Sequence, residues 1–301
     1  MHVCVIVLVK IMSEKCDECK LFMSGHTACA GCPETIAINN IMKAAGKNTI
    51  VVNATGCAEI ISSQYPITSW GVNYIHVAFE NAGAVASGVE AALKKLDIKA
   101  NVIALAGDGG TFDIGLQSLS GMVDRGHNVL YICLDNECYS NTGVQRSSAT
   151  PYAAWTTTTP TGKKSVGNAT FKKPIVEMMV AQGIKYAATS SIAYPKDIQS
   201  KVKKALSIKG PKFLLIHCPC PIAWRFDVSK TIEMAKLAVE TGMWVMYEVE
   251  NGKMSINMQP TGKKVDEYLK PQGRFKHLSD KEITIIQKKV DEDWKYKESK
   301  L

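Results

Sequence analysis

The stretch N-V-I-A-L-A-G-D-G-G, residues 101 to 110, joins a run of mostly apolar residues to an aspartate set among glycines. The apolar run predicts a buried strand, and in an open α/β sheet ligands bind beyond the carboxyl ends of the strands. Glycines at such a strand end let the backbone approach a phosphate, and the carboxylate of Asp108 is a hard oxygen ligand that suits magnesium. Since a tight turn uses the same residue types, the stretch marks Gly107, Asp108 and Gly109 as candidates only.

Helical and strand patterns alternate along the chain on both sides of this stretch. The alternation predicts an α/β fold, a doubly wound and mostly parallel sheet with helices on both faces. Beyond residue 221 the pattern weakens into a helix, the segment M-W-V-M-Y-E-V-E (243–250) and a charged amphipathic tail. Helices are predicted over residues 35–45, 81–96, 111–125, 174–182 and 195–207, and strands over 48–54, 101–106, 128–134, 184–189 and 212–217.

The next strand also ends on polar residues, in L-D-N-E-C-Y-S-N-T-G (134–143). Asn136 follows Asp108 by 136 − 108 = 28 residues, and one strand–helix–strand unit takes about 30 residues. This spacing predicts that the two side chains lie at the same end of neighbouring parallel strands. They could then hold one ion together.

Composition limits the classes of protein to which the chain can belong. Its 301 residues, 46% of them hydrophobic, can bury a full core, and its ten cysteines occur without a convincing secretory signal. Cysteines in such a chain favour metal or redox chemistry in a reducing compartment, so we expect a cytoplasmic protein. The opening apolar run, about ten residues long, is too short to cross a bilayer, and we expect no membrane partner.

The net charge of +8 comes mostly from lysines scattered along the chain and concentrated near its C-terminus. We interpret them as a solvated surface, with a docking surface for an acidic protein as the alternative. No nucleic-acid-binding motif accompanies them, so no nucleic-acid partner is expected.

The segment G-H-T-A-C-A-G-C-P-E, residues 25 to 34, sets two cysteines three positions apart and follows them with proline and glutamate. The pair alone fits a zinc site, a redox pair or neither. A proline at the first helical position starts the predicted helix, so Glu34 lies in its first turn.

These motifs together resemble a known family. The G-D-G sequence followed by an asparagine loop resembles the thiamine diphosphate signature, and L-D-N-E-C-Y-S-N-T-G-V-Q-R-S-S-A-T-P-Y-A-A-W-T-T-T-T-P (134–160) resembles the β subunit of pyruvate:ferredoxin oxidoreductases. The segments G-H-x-x-C-A-G-C, C-P-C-P-I-A-W-R and Q-G-R-F-K-H-L are similar too. The similarity runs from about residue 24 to residue 278, which leaves residues 1–23 outside it.

The resemblance implies three cofactors: thiamine diphosphate, magnesium and one [4Fe-4S] cluster. Four thiolates from separated loops suit a cluster, whereas a structural zinc site more often uses two close pairs. Of the neighbours Cys218 and Cys220, the family pattern of a cysteine between prolines selects Cys220. The implied ligands are Asp108, Asn136 and the backbone carbonyl of Cys138 for magnesium, and Cys29, Cys32, Cys57 and Cys220 for the cluster.

The resemblance also implies roles for residues around the cofactor. Glu34 would hydrogen-bond the aminopyrimidine ring and activate the cofactor, and Asn141 would face the substrate. Gly56, Ala58 and His76 would flank the diphosphate or the thiazolium ring.

The implied activity is the coenzyme A-dependent oxidative decarboxylation of pyruvate to acetyl-CoA and CO2, with ferredoxin as electron acceptor, in either direction. The implied partners are an α subunit that carries the pyrimidine domain and a substrate-binding arginine, γ and δ subunits with δ ferredoxin-like, and ferredoxin itself. Three alternatives stay open: a branched-chain 2-oxoacid enzyme, a non-redox thiamine lyase, and a zinc-stapled scaffold subunit.

We predict three segments in the chain: an N-terminal extension (1–23), a thiamine diphosphate-binding α/β domain with the cluster (24–220), and a C-terminal extension (221–301) that packs on this domain and on partner subunits. The loop 141–164 is the predicted docking region; its T-P-T-G-K-K-S lacks the earlier glycine of a phosphate-binding loop. Cys16 and Cys19 are interpreted as a surface dithiol or an incidental pair, and Cys4 and Cys133 as small buried apolar residues.

Overall fold

The computed structural model describes residues 20–301. The predictions for Cys4, for Cys16 and Cys19, and for most of the N-terminal extension lie outside the described residues. The described chain starts beside the sheet, where Phe22 is buried against the edge of the Trp70 ring, 5.1 Å away between ring centroids.

A single eight-stranded sheet organises the molecule, in the order β10-β9-β7-β8-β4-β3-β1-β2. Its strands are β1 (Thr49–Ala54), β2 (Asn73–Val77), β3 (Asn101–Gly107), β4 (Leu130–Asp135), β7 (Tyr186–Ser191), β8 (Lys212–His217), β9 (Met246–Glu250) and β10 (Lys253–Met258). The strands from β2 to β7 in this order are parallel, while β9 runs antiparallel to both β7 and β10. A short ribbon of β5 (Thr161–Gly162) and β6 (Ser165–Val166) lies apart from the sheet.

Ten α-helices accompany the strands in the described part of the chain. They are α1 (Pro33–Ala45), α2 (Cys57–Ile60), α3 (Ala82–Lys95), α4 (Leu116–Asp124), α5 (Ile175–Ala181), α6 (Pro195–Ser207), α7 (Pro221–Trp224), α8 (Thr231–Glu240), α9 (Val265–Leu269) and α10 (Asp280–Glu298). None of the helices within residues 20–301 combines the length and the apolar character needed to cross a bilayer.

Two apolar cores, one on each face of the sheet, explain why the central strands read as continuous apolar runs. Along β3, Ile103 and Leu105 pack into the core that α1 and α6 cover, while Val102 and Ala104 pack into the core on the other face. Successive side chains of a strand point to opposite faces, so a strand buried on both sides needs apolar residues throughout. The doubly wound fold is therefore as predicted.

The predicted helices and strands are present, most with bounds one or two residues from the prediction. The helix predicted over 111–125 is wrong in its first turn, because Gly109–Asp113 forms a π-helical turn and α4 begins only at Leu116. A Cβ on Gly115 would lie 2.0 Å from the Gly110 carbonyl oxygen, so this turn requires glycine at position 115. The C-terminal segment adds β9 and β10 to the same sheet.

The edge strand β2 is absent from the sequence prediction. Its residues N-Y-I-H-V are mostly exposed, and only Val77 is buried. An edge strand with little burial has no apolar run by which to recognise it. With β2 on one side of β1 and β3 on the other, the chain reverses its winding direction between β1 and β3.

Candidate functional site

A cavity of about 250 Å³ lies at this reversal point, beyond the carboxyl ends of β1, β3 and β4. This is where open α/β sheets bind ligands. Its lining includes ten of the residues predicted for the site: Glu34, Gly56, Cys57, Ala58, Gly107, Asp108, Gly109, Asn136, Cys138 and Asn141.

Asp108 and Asn136 reach the cavity from neighbouring parallel strands, as their spacing predicted. The Asp108 side chain is buried, and its Oδ2 accepts a hydrogen bond from the Ser147 hydroxyl. Its other oxygen, Oδ1, has no hydrogen-bond partner among the described residues. Burial, with the nearby Asp135 adding to it, raises the pKa of Asp108 well above its usual range. A buried carboxylate oxygen without a partner is costly, and a cation at this point would remove that cost.

The turn after Asp108 needs its glycines for close approach of the backbone. A Cβ on Gly109 would lie 2.3 Å from a carbon of the Tyr139 ring. One on Gly110 would lie 3.1 Å from the Phe79 carbonyl oxygen. Gly56, at the end of β1, has a φ of 155°, which favours glycine although the space around it is open.

Glu34 enters the same cavity from the first turn of α1, with Pro33 preceding it at the helix start. Its side chain is buried, and its Oε1 accepts a hydrogen bond of 3.0 Å from the Asn136 amide. Burial raises the pKa of Glu34 to about 7, although the bond from Asn136 lowers it. The carboxyl group thus contacts a predicted magnesium ligand directly, a contact that the sequence did not predict.

Three predicted cluster ligands approach this carboxyl group from separate loops. Cys32 precedes α1, Cys57 opens α2 and Cys220 precedes α7. Burial raises the pKa of all three thiols, that of Cys32 to about 12, and the charge of Glu34 adds to the effect for each of them. All three thiols are free.

The fourth predicted ligand, Cys29, is exposed, and its carbonyl accepts a 3.1 Å hydrogen bond from the Cys32 amide. Cys218 is completely buried in the core of the α1 face, and Cys133 is buried in β4. Within residues 20–301, no three His, Cys, Asp or Glu side chains gather tightly enough to bind one metal ion.

His76 is the predicted residue that lies farthest from its expected place. It projects from the exposed strand β2, with its Nε2 2.8 Å from the Thr55 hydroxyl, and it does not line the cavity. Asn141 does line the cavity, as does Cys57.

Several residues that shape the site escaped the sequence analysis. Ser147 bonds Asp108, and Ser140 donates a 2.7 Å hydrogen bond to the Asn136 Oδ1. Both belong to the long motif after β4, but nothing in their spacing distinguishes them from other loop serines. Arg274 donates a hydrogen bond to Glu137. It belongs to the Q-G-R-F motif, but the sequence analysis gave it no role.

Known proteins share the sequence and the fold of this chain. Residues 54–218 match the family described as thiamine pyrophosphate enzyme, C-terminal TPP binding domain. Pyruvate synthase subunit PorB of Methanothermobacter marburgensis is 52% identical over 279 residues, which cover 92% of this chain and 97% of the relative. PorB of Methanocaldococcus jannaschii is 53% identical over 283 residues, 91% of this chain and 95% of the relative.

The chain belongs to the PorB family of pyruvate synthase subunits. The family resemblance predicted from the sequence is thereby confirmed. This chain is also similar to a protein of another name. Ketoisovalerate oxidoreductase subunit VorB of Pyrococcus abyssi is 49% identical to it over 283 residues, 91% of each chain.

The fold of this PorB-family chain also occurs in a solved structure, 2-oxoglutarate:ferredoxin oxidoreductase from Magnetococcus marinus. The TM-score is 0.58 at 23% identity, with 74% of this chain and 82% of the other covered. This likeness and the family match confirm the predicted thiamine diphosphate-binding fold.

Proposed function

We propose that this chain is the thiamine diphosphate-binding β subunit of a coenzyme A-dependent pyruvate:ferredoxin oxidoreductase, a pyruvate synthase. The observation that carries the proposal is the strand-end cavity, where Asp108 keeps a buried, unpartnered carboxylate oxygen and which Glu34 and Cys57 also line. The 52% identity to pyruvate synthase subunit PorB over most of both chains supports the same activity.

Magnesium would be held by Asp108, by the Asn136 side chain and by the carbonyl of Cys138. The carbonyls of Asn136 and Glu137 already accept hydrogen bonds, from Trp224 and Thr150, at 2.8 and 2.7 Å. Within residues 20–301, no hydrogen bond is donated to the Cys138 carbonyl. The loop thus leaves free the one carbonyl that the assignment requires, and an oxygen-only ligand set suits magnesium.

One [4Fe-4S] cluster would be held by Cys29, Cys32, Cys57 and Cys220. The thiolates of such a cluster bind four different irons, so they lie farther apart than the ligands of one ion. Three half-buried thiols from separate loops, without any group tight enough for one ion in the described residues, fit that arrangement better than a zinc site. Cys29 lies on the exposed side of its turn and would close the site from outside.

When bound, thiamine diphosphate supplies the nucleophilic carbon that attacks the ketone of a 2-oxo acid, and the cluster accepts electrons singly. Glu34 would hold a proton for the aminopyrimidine ring, a role that suits a carboxyl group with a pKa of about 7. Asn141 would orient the substrate, and Gly56 and Ala58 would flank the cofactor from the end of β1. His76 would act only from the rim, through Thr55.

The chain would work in the cytoplasm as part of a hetero-oligomer. We propose an α subunit with the pyrimidine domain and a substrate-binding arginine, γ and δ subunits with δ ferredoxin-like, and ferredoxin as acceptor. The domain 24–220 would carry the site, and the C-terminal extension 221–301 and the loop 141–164 would contact the partners. The seven cysteines in the described residues are all free, which fits a reducing compartment.

A second candidate substrate is 2-oxoisovalerate, because VorB relatives are 47–49% identical over 283 residues. The test is anaerobic assembly with the partner subunits, followed by coenzyme A-dependent reduction of a viologen dye with either 2-oxo acid. A higher kcat/KM for pyruvate supports the first proposal, and a higher value for 2-oxoisovalerate supports the second.

Metal analysis of the anaerobic protein distinguishes the two 2-oxoacid oxidoreductases from a non-redox thiamine lyase and from a zinc-containing scaffold subunit. Iron and sulfide with a brown colour support the oxidoreductase, while a colourless, iron-free protein that binds thiamine diphosphate would indicate a lyase. In the iron-loaded assembly, Asp108→Ala should abolish magnesium-dependent cofactor binding, because it removes the unpartnered oxygen. Asp124→Ala, on the exposed end of α4, is the control.

A further inference from the structure

The loop at the end of β4, residues 136–138, lies between two cavities of the protein. Asn136 and Cys138 line the strand-end cavity, whereas Glu137 lines a separate cavity of about 530 Å³ on the other side. Glu137 has a φ of 64°, in the left-handed region. A residue other than glycine in that conformation is strained and persists only where its surroundings hold it.

Buried charges hold Glu137 in this conformation. Arg274 Nη2 donates a 2.7 Å hydrogen bond to its Oε2, and Lys172 Nζ lies 3.3 Å from its Oε1. Lys172 also lies 2.5 Å from the Asp135 Oδ2. The exposed fractions of Arg274 and Glu137 are only 2% and 5%, so water does not screen their attraction.

Arg274 is itself fixed by neighbours from the C-terminal segment. Its Nε donates a 2.8 Å hydrogen bond to Gln272, and its guanidinium lies 3.7 Å from the centre of the Trp224 ring. The Trp224 Nε1 in turn donates a 2.8 Å hydrogen bond to the Asn136 carbonyl. Residues beyond 220 therefore contact this loop at two points, the Glu137 side chain and the Asn136 backbone carbonyl.

We propose that Arg274 is a positioning residue for the cofactor: by pinning Glu137 in its left-handed conformation, it keeps Asn136 and the Cys138 carbonyl turned toward the magnesium position. This inference rests on the proposed function, since it assumes that the loop binds magnesium. It makes the C-terminal segment part of the cofactor site, although this segment lies outside the matched residues 54–218.

The test uses the complete assembly, stripped of magnesium and thiamine diphosphate. Binding of the diphosphate is measured by calorimetry while magnesium is varied. Arg274→Met keeps an apolar side chain against Trp224 but removes the charge. It should raise the magnesium concentration for half-maximal binding by roughly 10-fold, the lower end of the usual effect of losing a direct partner of a metal ligand, because Arg274 acts on the ligands through Glu137. Turnover at saturating magnesium should fall much less.

Lys201→Met is the matched control, because Lys201 is also buried and lies 3.0 Å from a carboxylate, Asp197, but far from the loop in sequence and on helix α6. It should lower the melting temperature without changing the magnesium requirement. Should Arg274→Met fail to assemble, Arg274→Lys keeps the charge without the planar fork and should shift the requirement in the same direction.

A second pair of variants separates the backbone conformation from the charge. Glu137→Ala and Glu137→Gly both remove the carboxylate, but only glycine adopts a φ of 64° without strain. The alanine variant should therefore need more magnesium than the glycine variant. Unchanged magnesium dependence in folded, assembled Arg274 variants would overturn the inference. Absence of magnesium-dependent binding in the unaltered assembly would instead overturn the proposed function.

Discussion

The carboxyl group of Glu34 is buried against the amide of Asn136, with a pKa raised by burial to about 7. At neutral pH it is therefore divided between its protonated and ionised forms. A group of this kind can accept and return a proton during turnover. The contact with Asn136 also gives it a second possible task, that of holding a magnesium ligand in place.

Replacing Glu34 with glutamine separates these two tasks. Glutamine retains an oxygen that accepts the hydrogen bond from Asn136, so thiamine diphosphate should bind to the assembly with nearly unchanged affinity. Because the ionisable group is lost, kcat should fall by roughly 10²–10⁴-fold. Binding is measured by calorimetry and turnover by viologen reduction. Weakened magnesium-dependent binding at normal kcat would show that Glu34 only positions Asn136.

The neighbouring cysteines Cys218 and Cys220 differ in their surroundings. Cys218 is completely buried among apolar side chains, whereas Cys220 is partly exposed and precedes α7. Cys220→Ser should lower the iron content of the anaerobic protein and its melting temperature. Cys218→Ser should leave iron unchanged, although a hydroxyl in that core lowers stability. Iron lost from the Cys218 variant alone would show that the ligand assignment is reversed.

At the scale of elements, the contact between α3 and α4 depends on Gly83. A Cβ at this position would lie 2.8 Å from the Ser118 carbonyl oxygen and 2.9 Å from its carbon. Both are backbone atoms that move only with α4, and α4 follows the turn that carries Asp108. Gly83 therefore sets the distance between the two helices.

Gly83→Ala should lower the free energy of unfolding by about 1–3 kcal/mol, the usual cost of overpacking. Gly88→Ala is the matched control in the same helix, since a Cβ there has no neighbour within 4 Å. It should raise stability by roughly 0.5–1 kcal/mol, because alanine is the better helix former. Denaturant titration of both variants measures the difference. An equal effect of the two substitutions would contradict the packing argument.

The strands that could be predicted from the sequence are those that are buried along most of their length. The strands β3, β4 and β8 are buried along most of their length, and their apolar runs mark them clearly. The edge strand β2 has no such run, and the π-helical turn after Asp108 depends on close backbone contacts that no local pattern encodes. The spacing along the chain did predict that Asp108 and Asn136 line one cavity, because β3 and β4 are neighbouring parallel strands.

Contacts between residues far apart along the chain could not be predicted from spacing. Arg274 meets Glu137 across 137 positions of the chain, and Trp224 meets Asn136 across 88. Each depends on where the C-terminal segment packs, and neither residue's local sequence indicates that position. The cluster cysteines were assigned from the family resemblance, and their role stays a proposal.

For the whole molecule, the cavity is open and small for the cofactor proposed to fill it. Its volume is about 250 Å³, while pockets that enclose small ligands usually measure about 300–1,000 Å³. Ile60 lines the cavity with 43% of its surface exposed. An exposed apolar side chain in the cavity wall fits a site that is completed by another chain.

We therefore predict that the chain has no appreciable activity alone. The thiamine diphosphate would be bound at its diphosphate end by Asp108 and Asn136, and a cavity of about 250 Å³ is too small to enclose the whole cofactor. The chain is expressed alone, reconstituted anaerobically with iron, sulfide, magnesium and thiamine diphosphate, and assayed for coenzyme A-dependent viologen reduction by pyruvate. Turnover should appear only when the partner subunits are added, and Asp108→Ala should remain inactive even then. Turnover by the lone reconstituted chain, absent in its Asp108→Ala variant, would show that the site is complete without a partner.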